Sequence, residues 1–116
     1  MDLVSLERQA SEVREMFENR DISLSKLIEL YQQYNSLNNT EEFVKKSSEL
    51  FPKLNCGLAS LYVRDVLKQG EVVMGKYGNE RHTFLLLNDG IIVDITADQY
   101  DGPKVYVGPL RKPWSI

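Results

Sequence analysis

The chain has 116 residues, 42% hydrophobic and 27% charged, which is the composition of one globular domain. A net charge of −3 argues against a nucleic-acid-binding protein, which usually carries a basic face. One cysteine and one histidine exclude an internal disulfide and a cysteine- or histidine-rich zinc site. We therefore expect a single domain over residues 1–116, with no metal, no cofactor and no nucleic-acid partner.

The N-terminal half, residues 1–54, has the hydrophobic spacing of helices. Apolar residues recur every three or four positions, and Asp2 and Thr40 are placed as N-cap residues. The predicted helices span 3–17, 24–34 and 40–51, separated by Asn19–Asp21 and by a polar loop at 35–39, with Pro52 ending the last one. Their charged outer faces are a candidate surface for a protein partner.

The C-terminal half, residues 55–116, changes from helical spacing to strand spacing. A fourth helix is predicted from Cys56 to about Lys68, with Asn55 as its N-cap and Gly70 at its C′ position. Strands are predicted over 71–77, 82–87, 91–95 and 104–107. The order predicts an α+β fold: N-terminal helices, then a cysteine-bearing helix packed on a small antiparallel sheet.

The start of the chain favours a cytoplasmic protein. It lacks a basic segment followed by an apolar run, so no signal peptide is predicted, and no stretch reaches the length of a membrane span. We expect no membrane partner, and signal-free export stays open.

Cys56 is placed where a thiol can act as a nucleophile. Free N–H groups and the dipole at the start of a helix favour the thiolate over the thiol. Gly57 leaves room for a substrate beside it. The Cys56 backbone N–H and the Asn55 side chain are the candidate donors of an oxyanion hole.

His82 is the candidate base, and Asp94 is the residue expected to orient its imidazole. If Asn88–Gly90 form a three-residue loop, His82 and Asp94 become diagonal neighbours on one sheet face, roughly 7 Å apart. A two-residue loop would place them on opposite faces. Asp98 is the second candidate partner for His82.

The order of these residues resembles the papain-like and NlpC/P60-like thiol hydrolases, in particular small bacterial papain-fold proteins, some of which are toxin domains. The likeness covers Asn55 to Pro109 and is carried by the segments His82–Leu87, Asp89-Gly90 and Val93–Tyr100. It implies a catalytic triad of Cys56, His82 and Asp94. It also implies acyl transfer on an amide of a protein or peptide: cleavage, glutamine deamidation or transamidation. Gly57 and Thr83 stand where many of these enzymes carry tryptophan.

Three functions remain open at the level of sequence. The first is a thiol hydrolase or amide acyltransferase using the triad. The second is a non-enzymatic interaction module on a degenerate papain-like fold. In that case Cys56 is a small core residue, and His82 is a structural histidine whose ring nitrogens are hydrogen-bonded. The third is a toxin-type protein deamidase. Asp94 is the residue that a purely structural role explains least well, because a buried carboxylate is costly unless it is paired.

Overall fold

Four helices precede a five-stranded antiparallel sheet in the computed structural model, which describes residues 2–34, 40–53 and 55–116. The helices are α1 (Leu3–Glu18), α2 (Leu24–Tyr34), α3 (Thr40–Glu49) and α4 (Cys56–Leu67). The strands are β1 (Glu71–Tyr77), β2 (Glu80–Leu86), β3 (Ile91–Asp94), β4 (Tyr106–Pro109) and β5 (Trp114–Ser115), with a 3₁₀ helix over Ala97–Tyr100. The sheet order is β4-β3-β2-β1-β5, which confirms the predicted α+β class.

The start of α1 follows the local chemistry, and the end of α4 does not. The Asp2 carboxylate accepts the Ser5 N–H at 2.8 Å and caps α1 as predicted. At the end of α4 the prediction for Gly70 is wrong, because Lys68 itself takes the left-handed conformation (φ 58°) that closes the helix. The polar loop predicted over 35–39 lies outside the described residues.

The sheet has an apolar core on each face. On one face α4 packs against β2 and β3, α1 packs against α4 and β4, and the shared core includes Leu85 and Val93. On the other face a smaller cluster surrounds Phe84, Ile92 and Trp114. Because β2 is covered on both faces and lies between β1 and β3, the prediction that it is a central strand is confirmed.

The β2–β3 hairpin has the odd loop that the triad hypothesis requires. Leu85 pairs with Val93 and Leu86 with Ile92, and the Leu87 N–H donates to the Ile91 carbonyl at 2.8 Å. Residues 88–90 therefore form a three-residue loop, and Gly90 takes the left-handed conformation (φ 76°) that closes it. Continuing this register places His82 and the last residue of β3 on the same face, as predicted.

The C-terminal strands differ most from expectation. The strand predicted over 104–107 lies instead at Tyr106–Pro109, and β5 was not predicted. A two-residue strand has no alternation to detect, and it forms because Trp114 pairs with Tyr77 at the free edge of β1. No helix in the described ranges is both long and apolar enough to cross a bilayer.

Candidate active site

His82 and Asp94 form a buried hydrogen-bonded pair. The His82 Nε2–H donates to Asp94 Oδ2 at 2.6 Å, and the two side chains are 0% and 1% exposed. The pair forms because β2 and the end of β3 present both residues on one face. The carboxylate also holds a proton on Nε2, so Nδ1 is the nitrogen that gains and loses a proton when His82 titrates.

Asp94 is held by donors from two further directions. The Thr96 N–H donates to Oδ1 at 2.9 Å, and the Thr96 hydroxyl reaches the same oxygen at 3.4 Å. The Trp114 indole N–H donates to Oδ2 at 2.7 Å. Both carboxylate oxygens are thus satisfied, as a buried carboxylate needs to be. This role of Trp114 has no local signal in the sequence, because only the pairing of β5 with β1 brings the indole to the site.

Aromatic rings surround the imidazole on the sides away from the carboxylate. Tyr100 presents its edge at 5.4 Å between ring centroids, and Tyr77 and Phe84 lie at 6.3 and 6.2 Å. The Tyr100 hydroxyl donates to the Arg81 carbonyl at 3.0 Å, which anchors this ring. Water is therefore kept from the His82–Asp94 bond, and a drier surrounding strengthens a charge-assisted hydrogen bond.

The other imidazole nitrogen, Nδ1, faces the thiol of Cys56. Nδ1 is buried and has no hydrogen-bond partner of standard geometry among the described residues. The two groups nevertheless shift each other's pKa. Burial raises the pKa of the Cys56 thiol, but the interactions with His82 and with Thr83 lower it by more, so the net pKa is below the ordinary value of 9.0. Burial lowers the pKa of His82, yet the bond to Asp94 and the interaction with the Cys56 thiol raise it to about 9.

Both shifts favour the same charge state. Between the lowered pKa of Cys56 and a pH of about 9, the stable form is a thiolate beside an imidazolium. A loose thiol–imidazole contact is common in unliganded thiol enzymes, where the bond tightens when substrate is present.

Cys56 is the first residue of α4, as predicted, and is partly exposed. It opens onto a cavity of about 450 Å³ that it shares with His82 and Thr83. A Cβ added at Gly57 would meet nothing within 4 Å, so the approach to the thiol is open there.

Asn55 does not do what the sequence suggested. Its side chain makes no cap, so the predicted side-chain N-cap is wrong. The amide nitrogen donates instead to the carbonyl and the hydroxyl of Ser47, at 3.0 and 2.9 Å. Both amide hydrogens are committed to α3, which removes the side chain as an oxyanion donor. The Cys56 backbone N–H remains the donor candidate.

Asp98, the second candidate partner for His82, is bound elsewhere. The guanidinium of Arg14 in α1 donates two hydrogen bonds to the Asp98 carboxylate, at 2.7 and 2.8 Å, and one to the Ile95 carbonyl at 2.8 Å. Arg14 is 5% exposed and stacks over Phe51 at 4.6 Å. The sequence did carry a signal for this residue, since a charged side chain four positions after Ala10 falls within the apolar stripe of α1.

Comparison with protein-family models, with curated proteins and with solved structures finds no match to the chain. A partly exposed thiol, an imidazole facing it and a carboxylate bonded to the far side of that imidazole form the arrangement used in nucleophilic catalysis.

Proposed function

We propose that this protein is a cysteine-dependent amide hydrolase or acyltransferase of the papain-like class that its sequence resembles. Cys56 is the nucleophile, His82 the base and Asp94 the orienting residue. One observation carries the proposal: the bond of 2.6 Å to Asp94 occupies Nε2 of His82 and leaves the buried Nδ1 beside the thiol, with no other hydrogen-bond partner among the described residues.

A histidine with a purely structural role would be expected to use both nitrogens. A buried polar atom without a hydrogen-bond partner costs about 1–3 kcal/mol of folding free energy. If His82 had only a structural role, we would therefore expect a neighbouring residue to form a hydrogen bond with Nδ1. Here the atom that lacks a bond is the one next to the thiol. This distribution is the reason to prefer an enzyme over an interaction module on the same fold.

The proposed reaction has two halves. The Cys56 thiolate attacks the carbonyl carbon of the amide, forming an S–C bond and a tetrahedral oxyanion. The C–N bond then breaks, and the leaving amine takes the proton held on His82 Nδ1. In the second half His82 takes a proton from water or from an acceptor amine, whose attack breaks the S–C bond and regenerates the thiolate.

The first turn of α4 supplies the stabilising donors. The side chain of Asn55 does not cap α4. The N–H groups of the first turn, including that of Cys56, therefore receive no hydrogen-bond acceptor from the N-cap side chain. They can stabilise the thiolate before attack and the oxyanion after it. Loss of one such donor typically costs about 10²–10³ in kcat.

Alkylation with iodoacetamide across pH tests the nucleophile. The protein has one cysteine, so incorporation reports on Cys56 alone, and Cys56→Ala is the blank. We expect the folded protein to react at pH values where the urea-unfolded protein does not. His82→Ala should move the inflection of the curve of labelling rate against pH toward its position in the unfolded chain. An inflection that is the same in folded and unfolded protein contradicts the proposal.

Turnover is tested with a library of defined peptides followed by mass spectrometry. New termini indicate hydrolysis, conversion of glutamine to glutamate indicates deamidation, and joined peptides indicate transamidation. Each product should disappear with Cys56→Ser, which keeps the size of the side chain. If folded Cys56 titrates as an ordinary thiol and the two proteins give identical libraries, the interaction-module alternative is favoured.

A further inference from the structure

Two cations face each other at the rim of the cavity that contains Cys56. Lys76 of β1 and Arg81 of β2 are directly opposite in the antiparallel register, so both project from the same face of the sheet. Both side chains are exposed, and both line the cavity with Cys56 and Thr83.

This pairing is unfavourable in the absence of a third group. Like charges directly opposite on neighbouring strands destabilise a sheet. Neither residue has an ion pair with a carboxylate of residues 2–34, 40–53 or 55–116. The protein is acidic overall, with 17 acidic and 14 basic residues, yet its acidic side chains leave this pair uncompensated.

We propose that Lys76 and Arg81 form a subsite for an anionic group of the substrate, a carboxylate close to the carbonyl that Cys56 attacks. This inference rests on the proposed function, because it assumes that the cavity receives an amide substrate. It goes beyond that function by assigning a substrate class: amides with an acidic side chain or a terminal carboxylate near the reacting bond.

The spacing along β2 fits such a substrate. Arg81 precedes Thr83 by two residues, which is about 7 Å along a strand. The Thr83 backbone lies against Cys56, where it helps to lower the pKa of the thiol. A carboxylate held by Arg81 therefore lies one to two substrate residues from the attacked carbonyl, within reach of both cations.

An apolar side chain continues the subsite on the same face. Met74 lies next to Lys76 on that face, opposite Thr83, and is 79% exposed. It lines the same cavity, together with Ile116. The substrate class is thus an anionic group flanked by an apolar one, which a basic rim beside an exposed methionine accommodates.

Two alkylating reagents of similar size but different charge test the subsite without knowledge of the substrate. Iodoacetate and iodoacetamide both transfer a two-carbon group to the thiolate, forming an S–C bond and releasing iodide. The measured quantity is the ratio of their rates on Cys56 at low ionic strength, for wild type and for Lys76→Gln/Arg81→Gln. Lys45→Gln/Lys46→Gln removes the same charge from exposed positions on α3 and serves as the matched control.

We expect the ratio of the iodoacetate rate to the iodoacetamide rate to fall in Lys76→Gln/Arg81→Gln. Attraction across about 7 Å of water is worth roughly threefold in rate for each cation, so both together give roughly five- to tenfold. The control should keep the wild-type ratio, and added salt should reduce the wild-type advantage. An unchanged ratio in the subsite variant overturns the inference.

The same data separate failure of the subsite from failure of the proposed function. The iodoacetamide rate across pH reports activation of the thiol, and the ratio reports the subsite. An ordinary thiol pKa with a changed ratio refutes the enzyme but leaves an anion site. A lowered pKa with an unchanged ratio refutes the subsite alone.

A matched pair of peptidyl chloromethyl ketones identifies the source of the carboxylate. The two peptides differ only in glutamate or glutamine next to the ketone, and neither has a terminal carboxylate. Faster labelling by the glutamate peptide, abolished in Lys76→Gln/Arg81→Gln, supports an acidic side chain. Selectivity for iodoacetate without selectivity between the peptides supports a small or terminal carboxylate.

Discussion

Replacing Asp94 with asparagine should damage both the stability of the fold and the reactivity of the thiol. The change keeps the size of the side chain but removes its charge and turns one acceptor into a donor. In the native site the two carboxylate oxygens accept bonds from His82, Trp114 and Thr96. An asparagine offers one acceptor oxygen to donors that approach from two sides.

The size of the loss can be worked out from these contacts. If the amide oxygen faces His82 and Trp114, the amide nitrogen faces the Thr96 N–H, and one buried donor is left unsatisfied at about 1–3 kcal/mol. The two remaining bonds change from charge-assisted to neutral, which roughly halves them. We expect a total of about 3 kcal/mol. A domain of this size has about 5–15 kcal/mol, so the variant should still fold.

Two assays measure the consequence. Thermal unfolding followed by circular dichroism should show a Tm lower by about 12 °C, since a domain of this length loses roughly 4 °C for each kcal/mol. Iodoacetamide labelling should show the Cys56 inflection moved up toward 9.0, because His82 loses the group that keeps it protonated.

Asp89→Asn is the matched control, since Asp89 is exposed in the loop between β2 and β3. It should change neither measurement. If Asp94→Asn unfolds at the same temperature as Asp89→Asn and its Cys56 titrates as in wild type, the His82–Asp94 bond does not hold the site together, and the triad argument is refuted.

Three further predictions concern the pH range of activity and the support of the site. The rate of acyl transfer should rise with pH through the lowered pKa of Cys56, as the thiolate forms, and fall near pH 9, as His82 loses the proton that the leaving amine needs. Arg14→Met should cost about 3 kcal/mol in urea unfolding because it leaves Asp98 without its partner, and Arg14→Lys should not restore this loss, since lysine cannot make the two-bond contact. Gly75→Ala should cost about 1–3 kcal/mol, because the added Cβ would collide with a backbone carbonyl of β5.

Each of these predictions has its own control. The prediction about pH is contradicted if an active His82→Gln variant shows the same fall in rate near pH 9 as wild type. Arg8→Met changes an exposed arginine of the same helix and should leave urea unfolding as in wild type. Met74→Ala, at an exposed position of β1, should be nearly neutral for stability. Equal losses in Gly75→Ala and Met74→Ala would show that β5 does not constrain this strand.

The pairing of His82 with Asp94 was accessible from sequence because it depends on a rule of parity. A loop of three residues, closed by a glycine with positive φ, places alternate residues of two strands on one face. The start of α4 at Cys56 was accessible because Pro52 ends the preceding helix and a new stripe with helical spacing begins at Cys56. Local periodicity determines both features.

The contacts that hold Asp94 and Asp98 in place could not be predicted from the sequence, because they depend on how segments distant in sequence pack together. Trp114 reaches Asp94 from a strand of two residues, and Arg14 reaches Asp98 across 84 positions of sequence. Asn55 shows the opposite error. Its residue type favours an N-cap, but packing of α3 against the start of α4 offers Ser47 as a better partner, and the tertiary contact overrides the local preference.

The contacts of Arg14 also explain why the helical half belongs with the site. Arg14 holds the Ile95 carbonyl and the Asp98 carboxylate, which lie on either side of Thr96, and Thr96 in turn donates to Asp94. Helix α1 thus fixes the turn after β3 that keeps the carboxylate in place. An isolated module over residues 55–116 would leave the Asp98 carboxylate and the Ile95 carbonyl without the donor that Arg14 supplies. Helix α1 therefore acts on the site through a direct chain of bonds.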